Sequence, residues 1–571
     1  MKFDLKLIAQ KFLIPIVLAV FTSLLSFNAI KNYSYTTDEP SHLARGVMLV
    51  KTGDFRINQH HPFLFNFLEA IPVAFNTEFI SEDLESENWE QAKKDDIAYN
   101  LVRLNGEKAT YSLEFLVSAR LVAAILSGIM LVATYLLVYI NFGFISAVIS
   151  SVLLAFSPTL IAHSSLVTTD VPAMYTIFIA SIALYMDLKK TKNNPNHFPL
   201  FFTLTAFIAI ISKYTATLIL PFWLIIYMWV RAKYMGDSLF RVLGKALLVT
   251  ITLLGLLTAV YGFKVSTIYE SDYNNPGRIK ATYDHLNMID RVVPLDIMPM
   301  LNWIYTEAQF PFPDYIKGFY DNVIKHNIHG HRTYLLGDAS NGGNPLYFPV
   351  AFLIKETVPF LLLTIFSTLF VIYLIKNNKG YISQKHPEMI PLIAIPTVLV
   401  VMSLTSSINL GVRHLLPVYP FLTLGTALVI TYLINTYPQF KKIAIWTTVT
   451  LLLIHAFLTT SHSPIYLGYF NQIAGAEKYN YLYLHDSNFD WRQENHIFDE
   501  AVQKYHGTNI VPYRKESLST NIKTLEKWEL CLRYRYFSNE IKPVGEFGHN
   551  FFLFEIENKE ALCDFSSSLK Q

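Results

Sequence analysis

The 571-residue chain is poor in charge: Asp, Glu, Lys and Arg make up 16% of it, against 52% hydrophobic residues. That balance excludes an ordinary soluble protein, in which about a quarter of the residues are charged. Neither sign dominates, since 46 basic and 44 acidic residues leave a formal charge of +2, so charge gives no support to a nucleic-acid partner. Cysteine is scarce. Only Cys531 and Cys563 occur, too few for a disulfide-built scaffold, and their spacing leaves open whether they pair or stay free thiols. No convincing repeat or low-complexity segment interrupts the chain.

What the chain has instead is long apolar runs. Roughly 20 mostly apolar residues cross about 30 Å of hydrocarbon as a helix. Eleven segments approach this, at 9–30, 118–140, 143–163, 171–188, 198–212, 215–230, 242–263, 348–375, 389–407, 414–434 and 441–460. The fifth and sixth are short, and together read as a kinked pair around Lys213. The fold class expected is therefore an all-α polytopic membrane bundle of about eleven transmembrane helices.

Lysine and arginine set the expected orientation. Lys2, Lys6 and Lys11 precede the first span, and no small-residue cleavage site follows it, so a retained span with a cytoplasmic N-terminus is expected. Counting alternately then puts "DLKKTKNN", "RAKYMGDSLFR", "KNNKGYISQK" and "QFKK" inside. The outer face of the cell membrane receives residues 31–112, 264–347 and 461–571. The expected division is a transmembrane domain over 1–460 and a small outer α/β domain over 461–571. In the latter, "LCLRYRYFS" and "NFFLFEIE" alternate like strands and "SLSTNIKTLEKWE" reads as helix. Residues 81–96, "SEDLESENWEQAKKDD", read as a solvated loop or interfacial helix.

The outer pieces hold most of the polar chemistry. "TTDEPSHLARG" sets Asp38 and Glu39 ahead of Pro40, which suits a helix start. Two readings stay open for this pair: carboxylates that favour a helix N-terminus, or a partly desolvated general base at the membrane surface. Beyond Pro40, His42 and Arg45 fall on one helical face.

The stretches "DEPSHLARG", "GDFRINQHHPFL", "AHSSLVTTD", "YLLGDASNGGNPLYFP" followed by Lys355, "RHLLPVYP" and "DSNFDW", in that order, resemble the integral-membrane glycosyltransferases that use lipid-linked sugars. The likeness is to the branch of protein O-mannosyltransferases (glycosyltransferase family 39) and the lipid A aminoarabinose transferase. That resemblance implies the GT-C architecture, with juxtamembrane helices in the first outer loop and an acidic catalytic base there. Carried over by position, the base is Asp38, with Glu39 as its neighbour, and Asp170 occupies a second acidic position. For Asp170 the competing reading is an N-cap formed with Thr168 and Thr169 ahead of Pro172.

An outward-facing site has no access to cytoplasmic nucleotide sugars, so an activated sugar must arrive on a membrane-borne carrier, and a polyprenyl phosphate fits. Its leaving phosphate calls for fixed positive charge. Arg413 is the first candidate; Lys213, His414, Lys355 and His61 follow, each with the alternative of snorkelling or anchoring a helix end. His42, His163, Asp490 and Trp491 are the expected substrate contacts. Trp491 and Tyr469 offer faces to a sugar, with the interfacial aromatic belt as their alternative.

The chain departs from the family pattern in two places. "QHHPFL" has His60 and His61 before Pro62, with Phe63 in place of a second proline; a phosphate contact there would fall to His61 as an imidazolium, with an ordinary surface histidine pair as the alternative. In "NFDWRQ", Arg492 stands where glycine is expected. No cofactor is assigned, and no metal site: adjacent histidines lack ordered ligand spacing, although a divalent ion remains open.

The reading is an enzyme that transfers a hexose or pentose, with inversion, from a polyprenyl-phosphate donor to a hydroxyl or amine. The expected partners are that donor, a protein, lipid or polysaccharide acceptor, and membrane lipid, with no nucleic acid. A transporter or flippase is the alternative outside enzymes, and a glycan ligase or oligosaccharyltransferase the alternative within them. A transporter would place its ionisable groups near the midplane, whereas here they gather toward one face. Cysteine substituted for Glu85 or Glu270 should react with an impermeant thiol reagent in intact cells, and cysteine at Gly380 should not. Labelling at 380 with protection at 85 would invert the orientation.

Overall fold

A computed structural model describes residues 9–563 except 32, 58, 107–112, 293–295, 378–384, 476–479, 519–526, 538–540, 558 and 560. The apolar runs fold as helices, the form that satisfies every backbone group within its own segment. In chain order the helices that matter for the site are α1 (Ile14–Ile30), α2 (Glu39–Thr52), α3 (Leu64–Ala74), α4 (Lys94–Gly106), α5 (Leu113–Phe142) and α6 (Phe144–Ala155). There follow α7 (Asp170–Thr191), α8 (Leu200–Ile210), α9 (Tyr214–Tyr234), α10 (Leu239–Val260) and α11 (Pro276–Val292). The last are α12 (Tyr347–Lys355), α13 (Val358–Asn377), α14 (Ile390–Thr405), α15 (Tyr419–Thr436), α16 (Lys441–Ser461) and α17 (Lys527–Phe537).

All eleven expected apolar segments are helical, but among the described residues nine helices are long and apolar enough to cross a membrane. Two of the eleven fall short. Segment 143–163 is broken after α6, where Ser157 Oγ accepts from Leu160 N at 3.2 Å and Pro158 opens a new short helix. Segment 198–212 is the 11-residue α8. Its start is tied to the far end of α7, where Phe202 N donates to Asp187 Oδ2 at 2.9 Å, and it leads into Lys213, which pairs with Asp170 at the near end. Segment 348–375 also divides, into α12 and α13 at Glu356, whose extended backbone precedes Pro359.

α7 is the central helix: 89% of its most apolar stretch is buried, against 17% for α16. Its apolar side chains, with those of α8, α9 and α15, form the core. The long connections after α1 and α10 cap one end of the bundle with short helices. α2 begins at Glu39 with Pro40 in its first turn, and it crosses α3 so closely that a Cβ on Gly46 would overlap Asn66 O. Gly318 has the same role between the two connections, lying against Gln59 O. The charge-rich stretch 81–96 forms a turn of helix, Glu87–Glu90, capped by Ser86, and then enters α4.

A buried ion pair joins these pieces. Arg120 and Glu39 meet at 2.6 Å with no exposure of either side chain. All five guanidinium N–H groups are used: two on Glu39, the others on Ile30 O, Tyr33 O and Ser34 O at 2.7 to 2.9 Å. Glu39 also accepts from Thr36 N and Val167 N. Burial works to raise the Glu39 carboxyl, but Arg120 and these N–H groups outweigh it and hold it below the usual range.

Past α16, three strands form an antiparallel sheet in the order β1 (Ile510–Arg514), β3 (Phe551–Glu555), β2 (Gly545–Phe547), with Arg514 opposite Phe551 and Gly545 opposite Leu553. "NFFLFEIE" supplies β3 as its alternation indicates. "LCLRYRYFS" does not form a strand; its residues 530–537 lie in α17, and residue 538 lies outside those described. Cys531 bonds to Cys563 and Arg535 Nε donates to Leu562 O at 2.8 Å, so helix-spaced contacts prevail over the alternating pattern. Of the expected helix 517–529, residues 519–526 lie outside those described.

Arg120→Met should leave Glu39 buried without its partner and lower folding stability by about 3–5 kcal/mol, read as an earlier thermal melt in detergent. Because the Glu39 carboxyl is held low, its contribution is present above the usual carboxylate range and is lost as pH falls through the depressed value. An unchanged melt in Arg120→Met would contradict this role.

Candidate active site

A cavity of about 650 Å³ opens at the capped end of the bundle. Asp38 and His42 reach it from the start of α2, His60 and His61 from the turn before α3, and Asp170 from the start of α7. Lys213 comes from the α8–α9 link, and Arg413 and His414 from the 3-10 turn that precedes α15. Seven of the sequence candidates thus meet in one place: Asp38, His42, His61, Asp170, Lys213, Arg413 and His414.

Arg413 is the centre of the arrangement. Its guanidinium lies over the Trp491 ring at 4.1 Å, and its Nη1 donates to Asp38 Oδ2 at 2.8 Å and to Asp170 Oδ2 at 3.2 Å. The other Asp170 oxygen takes the Lys213 ammonium. Thr169 is the N-cap of α7 without a side-chain cap bond, so the Asp170 carboxylate serves the two cations and not the helix end. Two acids and two bases balance, and a further anion would find Arg413 and Lys213 already shared.

Asp38 differs from Asp170 in access. Its side chain keeps 35% of its surface open, against 3% for Asp170. Burial raises the Asp38 carboxyl, but Arg413 and His42 outweigh that and keep it below the usual range. His60 and His61 are held well below the usual imidazole range, first by burial and then by nearby positive groups, among them Lys94 for His60 and Lys213 for His61. For His61 that environment disfavours the imidazolium form.

Six candidates lie off the cavity. Glu39 faces Arg120 instead. Lys355 is 3% exposed and donates to Leu467 O at 2.8 Å and Asn488 O at 2.6 Å, with its ammonium over the Phe470 ring. His163 packs edge-on against Trp491, which itself backs Arg413. Asp490 pairs with Arg514 at 2.8 Å. Tyr469 is buried against His462. Arg492, in place of the expected glycine, takes φ +69°, so the turn keeps a left-handed residue at a cost of about 1 kcal/mol. Among the described residues no group of three or more His, Cys, Asp and Glu side chains could hold a metal.

The sequence reading missed the far wall, made of Lys94, Asn322, His326 and His331. The spacing His326, His329, His331 was the available signal. On the other side the cavity meets an apolar groove of about 270 Å³ between α12, α13, α14 and α15, sharing Phe348 and Ser403 with it and lined further by Phe352, Leu369, Leu404 and Leu422.

Comparison with known proteins adds a partial family match to this geometry. Residues 114–261 match the family model of dolichyl-phosphate-mannose-protein mannosyltransferase. The match runs from α5 to α10 and holds Asp170 and Lys213, about a quarter of the chain. No curated protein matches. Among solved structures, the chain is similar to the oligosaccharyltransferase AglB from Archaeoglobus fulgidus, in complex with an inhibitory peptide and a dolichol-phosphate. Identity is 13%, covering 80% of this chain and 56% of that one, with a TM-score of 0.45. The chain thus spans little more than half of AglB's length. It is also similar to ArnT from Cupriavidus metallidurans bound to undecaprenyl phosphate, at 10% identity over 95% of this chain and 98% of that one, with a TM-score of 0.27.

Lys355→Met should leave two buried carbonyls without their donor and lower the thermal melt by the equivalent of about 1–3 kcal/mol. A melt equal to that of the parent protein would show that Lys355 does not hold the 467 and 488 segments.

Proposed function

We propose that this chain is an inverting glycosyltransferase that moves one sugar from a polyprenyl phosphate to an acceptor hydroxyl or amine on the outer face of the membrane. The observation that carries the reading is the single guanidinium of Arg413 bridging Asp38 and Asp170, in a cavity that continues into an apolar groove. A lipid-borne phosphate suits that combination: its chain takes the groove while its head meets Arg413 and Lys213. The family match over α5 to α10 supports a lipid-linked sugar as donor. Positive loops at the opposite ends of the helices support an outward-facing cavity.

In the proposed reaction the acceptor oxygen or nitrogen attacks the anomeric carbon, forming one bond as the bond from that carbon to the phosphate oxygen breaks. The electron pair leaves with the polyprenyl phosphate, whose growing charge faces the N–H groups of Arg413 and Lys213. The acceptor proton passes to the Asp38 carboxylate. While Arg413 grips Asp38, that carboxylate is a weak base. Donor phosphate competes for the same guanidinium, so donor binding loosens the grip and raises the basicity of Asp38 as the reaction needs it. No covalent sugar–protein intermediate is required.

Asp38→Asn should lower turnover by about 100-fold or more without weakening donor affinity, since shape is kept, the basic oxygen is lost and the charge that competes with phosphate for Arg413 is removed. Arg413→Ala should weaken both donor affinity and turnover, because the phosphate is present in ground state and transition state. Polyprenyl phosphate release with and without acceptor, on variants that melt as folded protein, gives the measurement. Near-normal turnover in Asp38→Asn would sink the mechanism, and transport of a solute without cleavage of any lipid-linked sugar would sink the enzyme reading.

A further inference from the structure

His42 lies on α2 one turn after Asp38, 3% exposed, with its side chain lining the main cavity. Its Nδ1 accepts from Asn66 Nδ2 at 2.8 Å, and Asn66, on α3, is fully buried. Among the described residues the ring makes no other hydrogen bond, so Nε2 is the nitrogen left for the cavity. An imidazole that accepts at Nδ1 carries its proton on Nε2.

The frame behind the ring is rigid. α2 crosses α3 at Gly46, where a Cβ would overlap Asn66 O, so helix contact fixes the backbone that carries the amide. One face of the ring meets His61, with centroids 4.8 Å apart. Burial holds the ring below the usual imidazole range, against the opposing pull of Asp38 and Asp170, and so disfavours the imidazolium.

Asp38 stands beside this N–H. Its backbone is helical, with φ −88° and ψ −27°, and its carbonyl accepts from His42 N at 3.3 Å. The two side chains therefore share a face at i, i+4 spacing, with about 5–6 Å between Cβ atoms. Arg413 takes Asp38 Oδ2, and among the described residues Oδ1 has no partner. The other charged or titratable groups around Asp38 are Asp170 from α7, His414 beside Arg413, Lys94 from the start of α4 and Asp486 from the segment after α16.

Aim and basicity make different demands on this carboxylate. A phosphate that draws Arg413 away leaves Asp38 more basic but without the contact that directed it. A second cation would direct it and weaken it again. A neutral N–H directs it at a smaller cost in basicity, because it brings no opposite charge.

We propose that Asn66 and His42 are positioning residues for the base: Asn66 fixes the His42 proton on Nε2, and that N–H bonds Asp38 Oδ1 and keeps the carboxylate on the acceptor while donor phosphate holds Arg413. The assignment rests on the transfer reading above for the base it positions; the Asn66–His42 lock itself does not. In the transfer step the O–H or N–H bond of the acceptor breaks and its proton goes to Asp38 Oδ2, the oxygen that Arg413 releases. His42 keeps its own proton throughout.

Nitrogen-15 NMR of the purified full chain with labelled histidine reads the lock without any transfer, the His42 signals being those lost in His42→Gln. The parent protein should show His42 protonated on Nε2 alone, and Asn66→Leu should show a mixture of the two tautomers. A parent ring protonated on Nδ1 overturns the proposal. Turnover reads the role, on variants that melt as folded protein. Asn66→Leu and His42→Leu should lower kcat about 10-fold with donor KM nearly unchanged, as for a misdirected base. Both should raise the acid limb of kcat by about half a pH unit, since a hydrogen bond to the carboxylate is lost. His42→Gln, whose amide N–H falls near the position of Nε2, should restore most of kcat. Asn66→Asp should move the limb the other way: its carboxylate favours the imidazolium, a cation beside Asp38, so limb and kcat both fall. Acid limbs that match the parent's in all these variants, or His42→Gln no better than His42→Leu, show a merely structural part and overturn the role. If the parent protein cleaves no lipid-linked sugar, the transfer reading fails and the role falls with it, while the NMR decides the lock by itself.

Discussion

The arrangement at the capped end depends on one fully buried ion pair. Arg120 spends every donor it has on Glu39 and on three carbonyls between Ile30 and Ser34. Those contacts fix the path of the chain from the first long helix into α2. Asp38 is the residue immediately before Glu39, so its direction into the cavity follows from the anchoring of its neighbour. Paired buried charges of this kind add little net stability over an apolar substitute, but losing one partner is costly. Their service here is to hold one carboxylate still so that the next can act.

The cavity obeys a second constraint, that charge away from water has to be balanced. Arg413 and Lys213 match Asp38 and Asp170, and Trp491 shields one face of the guanidinium. Such a cluster is stable without ligand and responds to one. A phosphate that enters competes with Asp38 for Arg413, which links binding to the basicity of the proposed base. Asp170, buried and held by two cations, is suited to keep Arg413 and Lys213 in position while Asp38 changes partner.

Much of this was legible in the sequence because apolar length and loop charge are read residue by residue. The polar motifs that hold Asp38, His61, Asp170, Lys213 and Arg413 do converge. What sequence could not separate was Asp38 from Glu39: neighbours on a helix start point about 100° apart, and only the position of Arg120 decides which one faces inward. Lys355 sits in an apolar run, where an anchored lysine and a phosphate-binding lysine read alike. The wall of Asn322, His326 and His331 has no hydrophobic period to announce it. In "LCLRYRYFS" an alternating pattern suggested a strand, and the link from Cys531 to Cys563 holds a helix instead. The breaks at Ser157 and Glu356 depend on single cap residues within runs that hydropathy reads as continuous.

The central claim is that donor phosphate draws Arg413 away from Asp38 and so makes the carboxylate a better base. Its most direct test is the pH dependence of transfer, comparing kcat/KM for the donor, which reports the free protein, with kcat, which reports the donor-bound state. With Arg413 on Asp38 the free carboxylate stays ionised to low pH; with the guanidinium shared with phosphate it protonates more readily. The acid limb of kcat should therefore lie higher than that of kcat/KM by about one pH unit or more. Acid limbs that coincide, or a kcat limb that lies lower, would contradict the account.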